Sequence, residues 1–182
     1  QSNSVQLSDA IAGDPVVYQS VVDDYADVQL SMGKVVGRLS INVGYEHTCL
    51  FGECAMGDWA TESFCKFGKT QIAMLGGGAI YGGFASGDIT LSEQLTNFPF
   101  VGQNQLWTFT LKGRPLLMAL EQVVSLAEKT WLPVSEGPGR FMQLSGIRFM
   151  WNEYDTVGTH TVDVWVETSL EKWELLEMAT TT

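Results

Sequence analysis

Three cysteines, at positions 49, 54 and 65, lie within seventeen residues, and His47 stands two residues ahead of the first. Thiols and an imidazole so close together could ligate a metal, form a disulfide or leave a reactive thiol. The His-x-Cys-x4-Cys spacing matches no common zinc pattern, and a disulfide competes for the same thiols. One bonded pair and one leftover is the simplest arithmetic. A leftover Cys65 reads as a buried free cysteine, with an intermolecular bridge or a covalent ligand as alternatives. A second stretch, Met74 to Gly83, holds five glycines after the apolar run from Ile72 to Leu75. It reads as a strand that ends either in a tight packing turn or in a cradle of bare N–H groups for a ligand. No Lys or Arg stands in it, which makes phosphate the weaker ligand.

The elements that must position these residues follow from capping signals and periodicity. Asp14-Pro15 opens a helix over about 15–29, with Val17, Val21, Tyr25 and Val28 at helical spacing. Gly37 to Val43 reads as a strand. Thr90 to Glu93 is a capping box that starts a short helix, ended at Phe98-Pro99-Phe100. Trp107, Phe109 and Leu111 alternate with Thr108, Thr110 and Lys112, the pattern of a half-buried strand. Leu116, Leu120, Val123 and Ala127 form a helical stripe from near Pro115, closed by a loop around Pro133 to Gly139. Two more alternating strands, around Ile147 to Trp151 and Val162 to Val166, join as a long hairpin across Asn152 to Thr159. Helices and strands mix without a strict βαβ order, so the expected class is α+β, in one domain over 1–182.

The chain has 182 residues and a formal net charge of −11, with the acids scattered along it. That balance makes nucleic acid and anionic membrane poor partners. The acid-rich end, Glu167 to Glu177, reads as a solvated face. No apolar run approaches the roughly 20 residues of a membrane span. The chain opens at Gln1 without Met or a signal-like segment, as a processed form would.

Several stretches together resemble the C-terminal domain of the 5'-nucleotidase family, the half that grips the nucleoside. They are VVGRL at 35–39, GECAMGDWATES at 52–63, LGGGAIYGG at 75–83, GDITLSEQLTNFPF at 87–100, LKGRPLLMALEQVV at 111–124 and RFMQLSGIRFMW at 140–151. They fall in the family's order, and the resemblance spans about 15–178. CLFGEC at 49–54 resembles the cystine-closed turn of the animal ecto-enzymes, which implies a Cys49–Cys54 disulfide with Cys65 outside it and a secreted animal protein. Family members usually read Asn-Gly-Gly-Gly-Ile-Arg at the glycine loop, where this chain has Leu75 and Ile80 in place of the Asn and Arg. Leu50 stands where the animal enzymes carry an Arg. Phe100 matches the first of the family's two base-stacking rings. The second lies beyond the matching stretches.

The resemblance implies no catalysis by this chain alone, because the family's metal-bearing domain and its His-Asp pair have no counterpart here. Only His47 and His160 are present, and a two-metal clamp needs more. The three aliphatic replacements suggest a polar pocket rebuilt as an apolar one. Its expected lining is Leu50, Trp59, Met74, Leu75, Gly76, Gly77, Gly78, Ile80, Tyr81, Phe84 and Phe100. The expectation is a secreted, non-catalytic binding module holding a lipid, isoprenoid or pigment, with no metal and no resident cofactor required. A substrate-binding fragment of a secreted nucleotidase or apyrase, or a structural or interaction protein, are the alternatives, and homo-oligomerisation stays open.

Overall fold

A computed structural model describes residues 13–44, 47–100, 105–124, 141–152, 154–156, 158–159 and 161–176. The architecture is α+β. Helix α1 (Pro15–Met32) starts where the sequence signals it, Asp14 Oδ1 accepting from the Val16 and Val17 amides at 2.8 and 3.2 Å. Its expected apolar stripe does not reach the core. Val17, Val21 and Tyr25 stay about 60% exposed and Val28 is 49% exposed.

Strand β1 (Val35–Leu39) pairs antiparallel with β3 (Gly87–Thr90). It begins and ends earlier than the sequence suggests, and Val43 keeps only an isolated bridge to Phe84. A 3-10 turn (His47–Leu50) leads into α2 (Ala55–Gly68). Strand β2 (Ala73–Gly76) pairs antiparallel with β4 (Met142–Ser145), and the chain leaves β2 through a second 3-10 turn (Gly77–Ala79). The capping box forms as read: α3 (Leu91–Asn97) has the Glu93 carboxylate accepting from the Thr90 amide at 2.8 Å and Thr90 Oγ1 accepting from the Glu93 amide at 3.3 Å. The Thr90 amide and then the Thr90 hydroxyl, each donating to the carboxylate at 2.8 Å, hold the Glu93 carboxyl below the usual carboxylate range.

Helix α4 (Gly113–Val124) buries Leu116, Leu120 and Val123, as its stripe requires; Ala127 and the loop at 133–139 lie outside the described residues. Strands β5 (Ile147–Trp151), β6 (Thr161–Ser169) and β7 (Lys172–Leu175) form an antiparallel sheet in that order, and the expected long hairpin joins the first two. Between β4 and β5 the chain changes sheet at Gly146. There φ is +76° and a β-carbon would overlap the Gln71 carbonyl, so only glycine fits.

One expected strand is absent. Residues 105–112 carry the alternating pattern but pair with no strand among the described residues, and Trp107 and Phe109 are 76% and 74% exposed. Alternation specifies which side chains share a face. A strand needs a hydrogen-bonding neighbour as well.

The core gathers in three clusters. Ile80, Phe84, Ile89, Met56, Val43 and the cystine form one, α4 packs Leu116 and Leu120 on Ile147, Val164 and Val166 in the second, and Val123, Val124 and Phe141 make the third.

Candidate ligand-binding site

The cysteine segment closes as the family resemblance implies. Cys49 and Cys54 are disulfide-bonded and Cys65 is free and half-buried. With both thiols bonded, the metal reading of that segment lapses. Among the described residues no group of three His, Cys, Asp or Glu side chains gathers as a metal site. His160 lies outside the described residues.

A residue not singled out from the sequence fixes this turn. Gln143, on β4 and 1% exposed, donates through Nε2 to the Cys49 carbonyl at 2.9 Å and the Gly52 carbonyl at 2.8 Å. Its Oε1 accepts from the Cys54 amide at 3.0 Å. A side chain at Gly57 would occupy the space of Gln143, so the glycine in GECAMG makes room for a partner 86 positions on (143 − 57). No local signal marks Gln143; a buried glutamine in an alternating strand becomes visible only through its partners.

The glycine loop divides by role. Gly77 is buried, donates its amide to the Phe141 carbonyl at 2.9 Å, and has the Cys49 carbonyl where a β-carbon would be. The Ile80 amide is used by the Gly77 carbonyl, and the Tyr81 amide by the Asn97 carbonyl at 2.9 Å. These donors serve the fold, so the packing-turn reading describes Gly77. Gly76 belongs to β2, and Gly78 is exposed in the turn that follows.

The expected lining does not form one wall. Ile80 (2% exposed) and Phe84 (4%) are core residues, because the loop after Gly77 turns them onto Met56 and the cystine. Met74 and Leu75, adjacent in a strand, point to opposite faces: Leu75 packs on the cystine cluster, Met74 on the α4 cluster. Leu50 is half-buried in its 3-10 turn. Trp59 stands edge-on to Phe84, centroids 5.5 Å apart.

Two expected residues do meet at the surface. Tyr81 (58% exposed) and Phe100 (36%) pack edge-to-face, centroids 5.6 Å apart with 75° between planes. Both are placed by the end of α3. Asn97 is 7% exposed and holds Tyr81 by its carbonyl, its Nδ2 donates to the Gly83 carbonyl at 2.8 Å, and Phe100 follows three residues later. Gly82 leaves space for the Asn97 side-chain oxygen. In the first turn of α2, burial and then the neighbouring Glu53 carboxylate push the Asp58 carboxyl up to about 6. The arrangement offers exposed ring faces and edges, with no cation in the glycine loop.

Residues 33–181 match the family model described as "5'-nucleotidase, C-terminal domain", and the chain belongs to that family. It is 30% identical over 156 residues to a 5'-nucleotidase-related protein of Glossina morsitans morsitans, covering 79% of this chain and 26% of that protein. It is 31% identical over 137 residues to the trifunctional nucleotide phosphoesterase protein YfkN of Bacillus subtilis, covering 69% of this chain and 9% of that protein. Among solved structures, a 5'-nucleotidase precursor from Thermus thermophilus superposes with a TM-score of 0.71 at 26% identity, over 91% of this chain and 32% of that one. The NAD nucleotidase of Haemophilus influenzae shares the fold, with a TM-score of 0.62 at 19% identity over 90% of this chain and 30% of that one. The chain thus spans about a quarter or less of the curated relatives and about a third of the solved ones.

Proposed function

We propose that this chain is the ligand-gripping half of a 5'-nucleotidase-type architecture, holding a planar ring at Tyr81 and Phe100 without hydrolysing it. The observation that carries the reading is the exposed edge-to-face pair on the buried Asn97 anchor. Large aromatic surface left open beside a rigid anchor favours stacking of a flat ligand. The relatives' names make a nucleoside the first candidate ring. Leu75 and Ile80 supply no charge to a phosphate, so the ring and not the anion carries the affinity.

A second reading keeps the stacking face and changes the ligand to a small apolar pigment, isoprenoid or lipid. The half-buried aliphatic Leu50 and Leu75, in place of polar side chains, favour it. Secretion is part of the proposal and rests on the Cys49–Cys54 disulfide, a bond retained in oxidising compartments.

Calorimetric and thermal-shift titration with adenosine, AMP and a planar apolar panel tests both. Ligand at a hundred times its Kd stabilises by roughly 2.7 kcal/mol. Adenosine and AMP are expected to bind within about twofold of each other, and Phe100→Ala to weaken both by about tenfold or more, because a stacked base contributes about 1–3 kcal/mol. A strong preference for AMP over adenosine would overturn the loss of the phosphate grip. Binding unchanged in Phe100→Ala would remove the stacking site.

A further inference from the structure

The β2 strand has a second, different face. Its partner β4 occupies one edge, and alongside it the unpaired 105–112 segment stands off to leave a cleft of about 650 Å³. That volume lies within the roughly 300–1,000 Å³ of small-molecule sites. Phe64, Met74, Trp107, Phe109 and Leu116 supply apolar walls, and among the described residues lining it Lys69 is the one that is charged. Trp107 and Phe109 are exposed far beyond what a core strand would leave, and a cleft walled by such rings marks a binding surface.

Lys69 sits at the cleft by backbone constraint. It follows the last residue of α2 in the left-handed region, φ 51° and ψ 42°, and its amide closes the helix on the Cys65 carbonyl. A bulky residue in this conformation is uncommon, and glycine is the usual occupant. Among the described residues its ammonium forms no ion pair. In a chain of net charge −11, an unpaired cation at the rim of an apolar cleft selects the charge of what enters. Lys69 also borders a neighbouring surface hollow lined by Glu62, Lys66 and Glu167, where Glu62 is already paired with Lys66 at 2.7 Å.

We propose that this cleft binds a small amphipathic anion: an apolar chain or ring body lying against Met74, Trp107 and Phe109, with its single carboxylate or sulfonate at Lys69. The site is separate from the Tyr81–Phe100 face, on the other side of β2 from Leu75.

The test uses the whole chain and dodecanoate below its micelle concentration, with dodecanamide as a neutral probe of equal length, followed by calorimetry and tryptophan fluorescence. Dodecanoate is expected to bind saturably at one site. Lys69→Met should weaken it about tenfold and leave dodecanamide within twofold, whereas Trp107→Ala should weaken both about tenfold. Trp107 is mostly exposed, so its loss leaves the core intact. Phe100→Ala should leave dodecanoate binding unchanged, and adenosine should not compete, which separates this cleft from the stacking site. Absence of saturable binding, equal affinities in Lys69→Met and the parent, or displacement by adenosine would each overturn the proposal. A Lys69→Met chain that melts lower but binds dodecanoate as before would assign the lysine to the helix end alone.

Discussion

Gln143 does more for the cystine turn than its single side chain suggests. Three backbone groups, two buried and the Gly52 carbonyl partly buried, have this carboxamide as their partner. An unmade buried hydrogen bond costs far more than a made one contributes, about 1–3 kcal/mol per orphaned group. Gln143→Leu fits the volume but satisfies none of the three. It should destabilise by about 3 kcal/mol or more, read as a fall of roughly 6–12 °C in Tm for a domain of this size. Chemical denaturation checks the free energy, and a loss below about 0.5 kcal/mol would show that water replaces the carboxamide. The same contrast separates what the sequence reveals at this scale. The cysteines announce themselves by chemistry and their pairing by the family resemblance, which also picks out Phe100 as a base-stacking ring and Tyr81 as pocket lining. Gln143 and Asn97 act through backbone groups far away in sequence or hidden in a loop, so composition and periodicity pass over them.

At the scale of elements, the helices were legible because their signals are local: Asp14-Pro15 opens α1, the Thr90–Glu93 box opens α3, and the stripe of α4 is buried as read. Strand pairing is not local, and that is where expectation and structure part. The 105–112 pattern lacks a strand partner among the described residues, and β1 starts two residues early because its register is set by β3. In the first turn of α2, burial and then the neighbouring Glu53 carboxylate push the Asp58 carboxyl from its ordinary 3.8 up to about 6. A raised carboxyl pKa means the folded state holds the proton more tightly. Stability contributed by this residue is therefore greatest below pH 4, declines between about 4 and 6, and stays reduced above 6. Asp58→Asn should raise Tm by about 2 °C at pH 8, discounted for a carboxyl still open to solvent, and by nothing at pH 4. Scanning calorimetry at both values decides it. A gain that is equal at the two pH values would point to packing instead of charge.

For the molecule as a whole, membership of the C-terminal domain family and the span of about a third of its solved relatives set the expectation for chemistry. Incubated with AMP, ADP or a UDP-sugar and zinc, manganese or cobalt, the purified chain should release no phosphate above background, since two histidines cannot assemble a metal-activated water between two ions. Metal-dependent turnover that co-purifies with the chain through successive columns would refute this. Among the described residues no helix is long and apolar enough to cross a membrane.

The glycine at 57 and the glutamine at 143 share one volume, one vacating what the other fills. The two positions are therefore not free to vary independently, although they belong to different elements and to opposite halves of the chain. Any enlargement at 57 is closed while the glutamine remains, and any reduction at 143 leaves a void that only then makes enlargement at 57 tolerable. Change along this pair has a direction in time: 143 must move first, and each intermediate carries a cystine turn stripped of its anchor.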